Sequence, residues 1–170
     1  MKTMKTSPQK TAHESAPVRP DDESMVDALA QHHRGLETAW DAIVVEVDGG
    51  DPFALSRQWR ALERELLRHL SLEERELLPP FEQSSHGDEA RLLRREHDAI
   101  REDLQRLGVE LDRHQLRAEA VADFAARLRA HGRREDRELH PWIARHLPQD
   151  RWLMLERTPI SSRERSRLRS

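Results

Sequence analysis

Apolar and histidine side chains recur along this chain in steps of three and four, the period of an amphipathic helix. They fall at 26, 29, 33, 36, 40, 43 and 47 in the first segment, flanked by the N-cap candidates Asp21, Asp22 and Ser24 and by the turn Gly49-Gly50-Asp51-Pro52. This predicts a helix over roughly 24–47. A second seam, Leu55, Trp59, Leu62, Leu66, His69, Glu73 and Leu77, predicts a helix over roughly 53–78, stopped by Pro79-Pro80 and followed by FEQSSHGD as a loop. The third seam runs Ala90, Leu93, His97, Ile100, Leu104, Leu107 and Leu111. The fourth runs Val121, Phe124, Leu128, His131, Glu135, Leu139 and Trp142, with Pro141 expected to kink or end it. After Pro148 the stretch PQDRWLMLER leaves room for a short fifth helix that packs Trp152 and Leu155 on the rest. Four helices of about 25 residues, each about 38 Å long, with short links between them, predict an all-α, antiparallel up-down-up-down four-helix bundle.

Composition agrees with one helical domain. The chain has 170 residues, 36% apolar and 36% charged, with six Gly and no Tyr. Residues 1–21 are expected to form a disordered tail, 22–157 the bundle and 158–170 a basic tail. No apolar run approaches the roughly 18 residues of a membrane span, and the N-terminus lacks the apolar core of a signal peptide. The expectation is a soluble, cytoplasmic protein with no membrane partner. Residues 1–20 hold four Lys/Arg against one Glu, and 158–170 four Arg against one Glu, so with −3 overall the segment between carries −9. That argues against a nucleic-acid face on the folded part. The absence of cysteine excludes disulfides, thiolate zinc sites and cysteine-held iron–sulfur clusters. Any metal must be held by His and carboxylates, and the absence of Tyr excludes a phenolate ligand or tyrosyl radical.

Six polar residues occupy seam positions where Leu would be expected: His33, His69, Glu73, His97, His131 and Glu135. Burying that many ionisable groups is costly unless they satisfy one another or surround a cation, which keeps the carboxylates charged and uses neutral imidazoles as ligands. Two of the pairs belong to a longer repeat. HLSLEERELLPP from His69 and HGRREDRELHPW from His131, 62 residues apart, agree at His, Glu, an acid, Arg, Glu, Leu and Pro. His33 and His97 are also in register, each with apolar residues at −4, +3, +7 and +10, which selects His33 over His32. Glu37 and Arg101 then occupy equivalent places, and an ion pair between them is one expectation and a solvated Glu37 the other. His13, His86, His114, His140 and His146 lie in tails, loops or helix ends, where capping or solvated roles are ordinary.

The arrangement of one His, HxxxE, one His and HxxxE on successive helices resembles the hemerythrin-like, HHE cation-binding family over about residues 24–147. The resemblance implies a non-haem di-iron centre, two iron ions with an oxo or hydroxo bridge, bound by His33, His69, His97 and His131 and bridged by Glu73 and Glu135. Oxygen-carrying hemerythrins have a second His on helix 3, where this chain has Arg101, and an Asp five residues along helix 4, where the HxxxE pattern uses Glu135 at four. In these respects the chain is more similar to the hemerythrin-like domain of iron–sulfur-cluster repair proteins and to actinobacterial hemerythrin-like proteins, although the cysteines of the repair proteins' N-terminal module are missing.

Two octahedral irons have twelve donor positions; four His, two bridging carboxylates and one bridging oxygen fill about ten. The two remaining positions suit O2, peroxide or NO. Three readings stay open: a di-iron protein acting on such an oxidant, a module that binds, stores or senses oxygen or iron without turnover, and a bundle holding Zn or Mn structurally. The oligomeric state is not legible.

Overall fold

A computed structural model describes residues 20–147. The short fifth helix, the basic C-terminal tail and most of the expected N-terminal tail lie outside the described residues. The described chain is all helical: α1 (Pro20–Val47), α2 (Pro52–Leu72), a π-helical turn (Glu73–Leu77), α3 (Leu78–Gln83), α4 (Gly87–Asp112) and α5 (Ala118–His146). Asp51 caps α2, its carboxylate accepting from the Phe53 N–H at 3.0 Å, and Pro52 takes the first helical position, where no N–H is needed.

Cross-helix contacts fix the directions. Trp40 meets Trp59 while His33 meets His69, so α1 and α2 run oppositely. Asp41 pairs with Arg129 and His33 with Asp136, and Asp103 pairs with Arg127 while Glu96 pairs with His131, which makes α1/α5 and α4/α5 antiparallel. Arg60 near the start of α2 reaches Asp112 at the end of α4. The four long helices close a ring in the order α1, α2, α4, α5. This is the expected four-helix bundle.

The second helix corrects the sequence expectation at its end. Pro79 and Pro80 do not stop it; after the π turn, in which the Leu78 N–H reaches the Glu73 carbonyl, they sit in the first turn of α3, and the helix continues to Gln83. A proline's missing N–H is tolerated at a first turn, and the wide turn supplies one. The loop shrinks to Ser84–His86. Pro141 likewise lies inside α5, which runs on to His146.

Two apolar clusters form the core. One holds Trp40, Ile43, Trp59, Leu66, Leu104, Leu107 and Phe124, with Trp40 packed edge-to-face on Trp59 and Phe124. The other holds Leu77, Phe81, Leu93, Leu139 and Ile143. Between them all four long helices and the π turn contribute polar side chains at one level: His33, His69, Glu73, His97, His131, Glu135 and His140 are all buried.

Candidate metal centre

The six seam residues singled out in the sequence converge in that polar layer. Glu73 and Glu135 are fully buried at 0% exposure, out of contact with bulk water. Each carboxylate divides its oxygens between two places. Glu73 Oε1 lies 3.3 Å from His69 Nε2, while its Oε2 lies 3.5 Å from His97 Nε2. Glu135 Oε2 lies 3.2 Å from His33 Nε2, while its Oε1 lies 3.1 Å from His131 Nε2 and 3.5 Å from His97 Nε2. His33 and His69 face one another at 3.3 Å between their Nε2 atoms. One side of the carboxylates therefore meets His33 and His69, the other His97 and His131.

The backbone explains the placement. His69 and Glu73, like His131 and Glu135, are one helical turn apart, so each pair projects inward together. The π turn starts at Glu73 and leaves the next residue, Glu74, beside the outer edge of the same imidazole. Glu73 meets His97 at Nε2, and Glu74 Oε1 accepts from His97 Nδ1 at 3.0 Å.

That outer contact recurs around the layer. His131 Nδ1 donates to Glu96 at 3.0 Å, and His33 Nδ1 lies 3.2 Å from Asp136 Oδ1. Arg101 holds Glu74 at two points, 2.7 and 2.8 Å, and Arg134 holds Glu96 at 2.8 Å. A carboxylate on Nδ1, the usual outer partner of a metal-binding histidine, fixes the ring plane and turns Nε2 inward. The expected Glu37–Arg101 pair does not form, because α1 and α4 stand diagonally across the ring and Arg101 is taken by Glu74.

The buried ionisable groups of the layer shift one another's pKa values. Burial and the adjacent Glu135 push the Glu73 carboxyl well above the ordinary range. Burial acts in the same sense on Glu135, but His131, His33 and His97 around it hold it well below that range. Burial lowers the His33 and His131 pKa values, yet the surrounding carboxylates, Asp136 and Glu135 for His33 and Glu135 and Glu96 for His131, outweigh it and raise both to about 10. Asp136 is held far below its ordinary value: burial opposes this, but hydrogen bonds from His140 and His33 prevail. The layer therefore favours positive charge at His33 and His131.

The residues fit a metal. Both oxygens of Glu73 and of Glu135, and Nε2 of His97, His131 and His140, are buried without an aligned hydrogen bond, although they crowd together. Two sets of buried donors have ligand atoms within 4.8 Å of one another and could hold an ion: His33, Glu73, Glu135 and His140, and Glu73, His97, His131 and Glu135. His69 stands outside both sets at that spacing and joins through its contacts with Glu73 and His33. Sequence reading missed His140, which it placed at a helix end, and Asp136. The available signal was their own spacing of four on α5, which puts both on one face beside the Glu135 stripe.

The family model for the hemerythrin HHE cation-binding domain matches residues 24–143. The chain belongs to this family. No curated protein and no solved structure gives a significant match. The hemerythrin-like domain is thus a cation-binding helical bundle, and the match spans every residue of the polar layer. No helix among the described residues is long and apolar enough to cross a membrane.

A narrow cleft reaches this layer between α1, α2 and α5. Its walls include Leu36, Leu66 and Leu128, with Glu37 and Gly132, and His33, His69 and His131 line it as well. Its volume, ≈ 20 Å³, is about that needed by one water-sized molecule.

Proposed function

We propose that this hemerythrin-like domain is a non-haem di-iron protein that binds or reacts with a small oxidant, O2, peroxide or NO. The observation that carries the reading is the division of each buried carboxylate between two imidazole pairs, since a single cation would not need both oxygens of both glutamates facing opposite ways. His33 and His69 would hold one iron, His97 and His131 the other, with Glu73 and Glu135 spanning them. The irons would supply redox chemistry toward small oxidants that no side chain here provides.

The protein's own part is positional. Glu73 and Glu135 act as scaffold, staying ionised beside positive charge rather than serving as acids. Glu74, Glu96 and Asp136 aim the imidazoles, and the two apolar clusters flank the layer along the bundle. The cleft supports an oxidant-reactive centre over a structural Zn or Mn site, because a closed structural site has no use for an entry. Its volume is on the scale of a diatomic molecule or peroxide.

The test is anaerobic loading with Fe(II), followed by optical spectra after addition of O2, peroxide or NO. The proposal expects a charge-transfer band to develop with the oxidants and a distinct spectrum with NO. Catalytic consumption of peroxide indicates an enzyme, and one stoichiometric change indicates a binding or sensing module. A spectrum indifferent to all three contradicts the proposal.

A further inference from the structure

His140 lies nine residues beyond His131 on α5 and is fully buried, at 0% exposure. Its ring stands beside that of His33, with centroids 5.0 Å apart and planes inclined by 33°. Its Nδ1 is 3.0 Å from Asp136 Oδ1, the same oxygen that lies 3.2 Å from His33 Nδ1. One carboxylate oxygen therefore takes the Nδ1–H of both rings.

That contact decides the tautomer. With the proton on Nδ1, Nε2 of His140 carries a lone pair and requires a donor or a cation. Among the described residues no hydrogen-bond donor reaches it. Its neighbours instead are ligand atoms of His33, Glu73 and Glu135, all within 4.8 Å. The same pattern, a carboxylate on Nδ1 and Nε2 turned inward, marks His33, His97 and His131. A histidine merely filling space would leave a fully buried, unpaired acceptor, at a free-energy cost that packing alone does not offset.

We propose that His140 is a fifth imidazole ligand, binding through Nε2 the metal held by His33, and that Asp136 orients both rings. The proposal rests on the two-metal reading above. It makes the centre asymmetric. His33, His69, His140, one oxygen from each glutamate and a shared bridge complete six positions on one metal. His97, His131, the two other carboxylate oxygens and the bridge leave the second metal one short. The exchangeable position then belongs to the metal on the His97/His131 side alone, and the sequence-based count of two vacancies falls to one.

The experiment is an azide titration of iron-loaded full-length protein, wild type against His140→Ala, with iron content measured in each. Wild type should bind one azide per iron pair. His140→Ala should bind two, and millimolar imidazole should return it to one. One azide in both proteins, with unchanged iron spectra, overturns the proposal. Should His140→Ala fail to fold or to retain iron, pulsed EPR on the mixed-valent wild-type pair, with nitrogen-15 histidine, decides: five coupled imidazoles support it and four overturn it. Fewer than two irons per wild-type chain overturns the di-iron reading and this proposal together, whereas two irons with four imidazoles overturns this proposal alone.

Discussion

Arg101 on α4 grips Glu74 of the π turn at two points, 2.7 and 2.8 Å, and Glu74 passes that constraint to His97 Nδ1 at 3.0 Å. The guanidinium thus constrains an imidazole of the candidate metal centre through Glu74. Glu74→Gln should weaken metal binding by about 10–100-fold, the usual effect of losing an outer carboxylate. Arg101→Met should have a smaller effect in the same direction. Competition with a chromophoric chelator measures both, and an unchanged affinity in Glu74→Gln would show that His97 needs no outer partner.

Gly132 gives a steric prediction. A Cβ there would lie 3.2 Å from His33 Nδ1 and 3.4 Å from its Cγ, so His33 would have to move by a few tenths of an ångström. Gly132→Ala should lower affinity for the His33-side metal by roughly tenfold, as for a displaced outer partner. Gly108→Ala is the control, because its Cβ would meet only ordinary contacts at 3.7 and 3.8 Å. That variant should gain up to about 1 kcal/mol of helix stability with metal binding intact. Thermal melts and metal titrations distinguish the two.

The buried glutamates should respond oppositely in the metal-free protein. Glu73, held above its ordinary pKa by burial and by Glu135, costs stability at neutral pH, so Glu73→Gln should stabilise the metal-free bundle by about 1–3 kcal/mol. Glu135 is ion-paired with His33 and His131, and Glu135→Gln should destabilise it by about 3 kcal/mol. Both should lose at least one metal. Urea denaturation after chelation reads the sign of each change; equal signs would refute the assigned charges.

How much of this was legible in the sequence follows from geometry. Seams reveal a single stripe per helix, and His33, His69, Glu73, His97, His131 and Glu135 lie on those stripes. Asp136 and His140 were not read because α5 is buried over a wider arc: Gly132 lets α1 approach closely and covers a second face. The π turn was hidden because one extra residue in a hydrogen-bonded ring leaves no trace in a period of three and four. Pro79-Pro80 therefore read as a stop. Pairing Glu37 with Arg101 assumed that equivalent positions meet, and the ring order puts their helices on opposite corners.

Acidity supplies a further prediction. With His33 and His131 raised to about 10, both imidazoles hold protons at pH 7 until a metal displaces them. Loading at pH 7 should release about two protons from these rings, with Glu73 contributing in addition, and affinity should climb as pH rises. In the metal-free protein the sign is reversed. The stability from these raised histidines is complete below about pH 6.5, the unfolded value, and is lost as pH approaches about 10. A pH indicator during titration and melts across pH 6–10 check both; no proton release would contradict the charge assignment.

The central claim is two irons spanned by Glu73 and Glu135, and its most direct test is the Mössbauer spectrum and iron count of protein loaded anaerobically with 57Fe(II) and then oxidised. Two irons per chain, magnetically coupled to a diamagnetic ground state, with the pair lost in Glu73→Ala, is the predicted result. One iron per chain, two uncoupled irons, or a preference for a single zinc would contradict it.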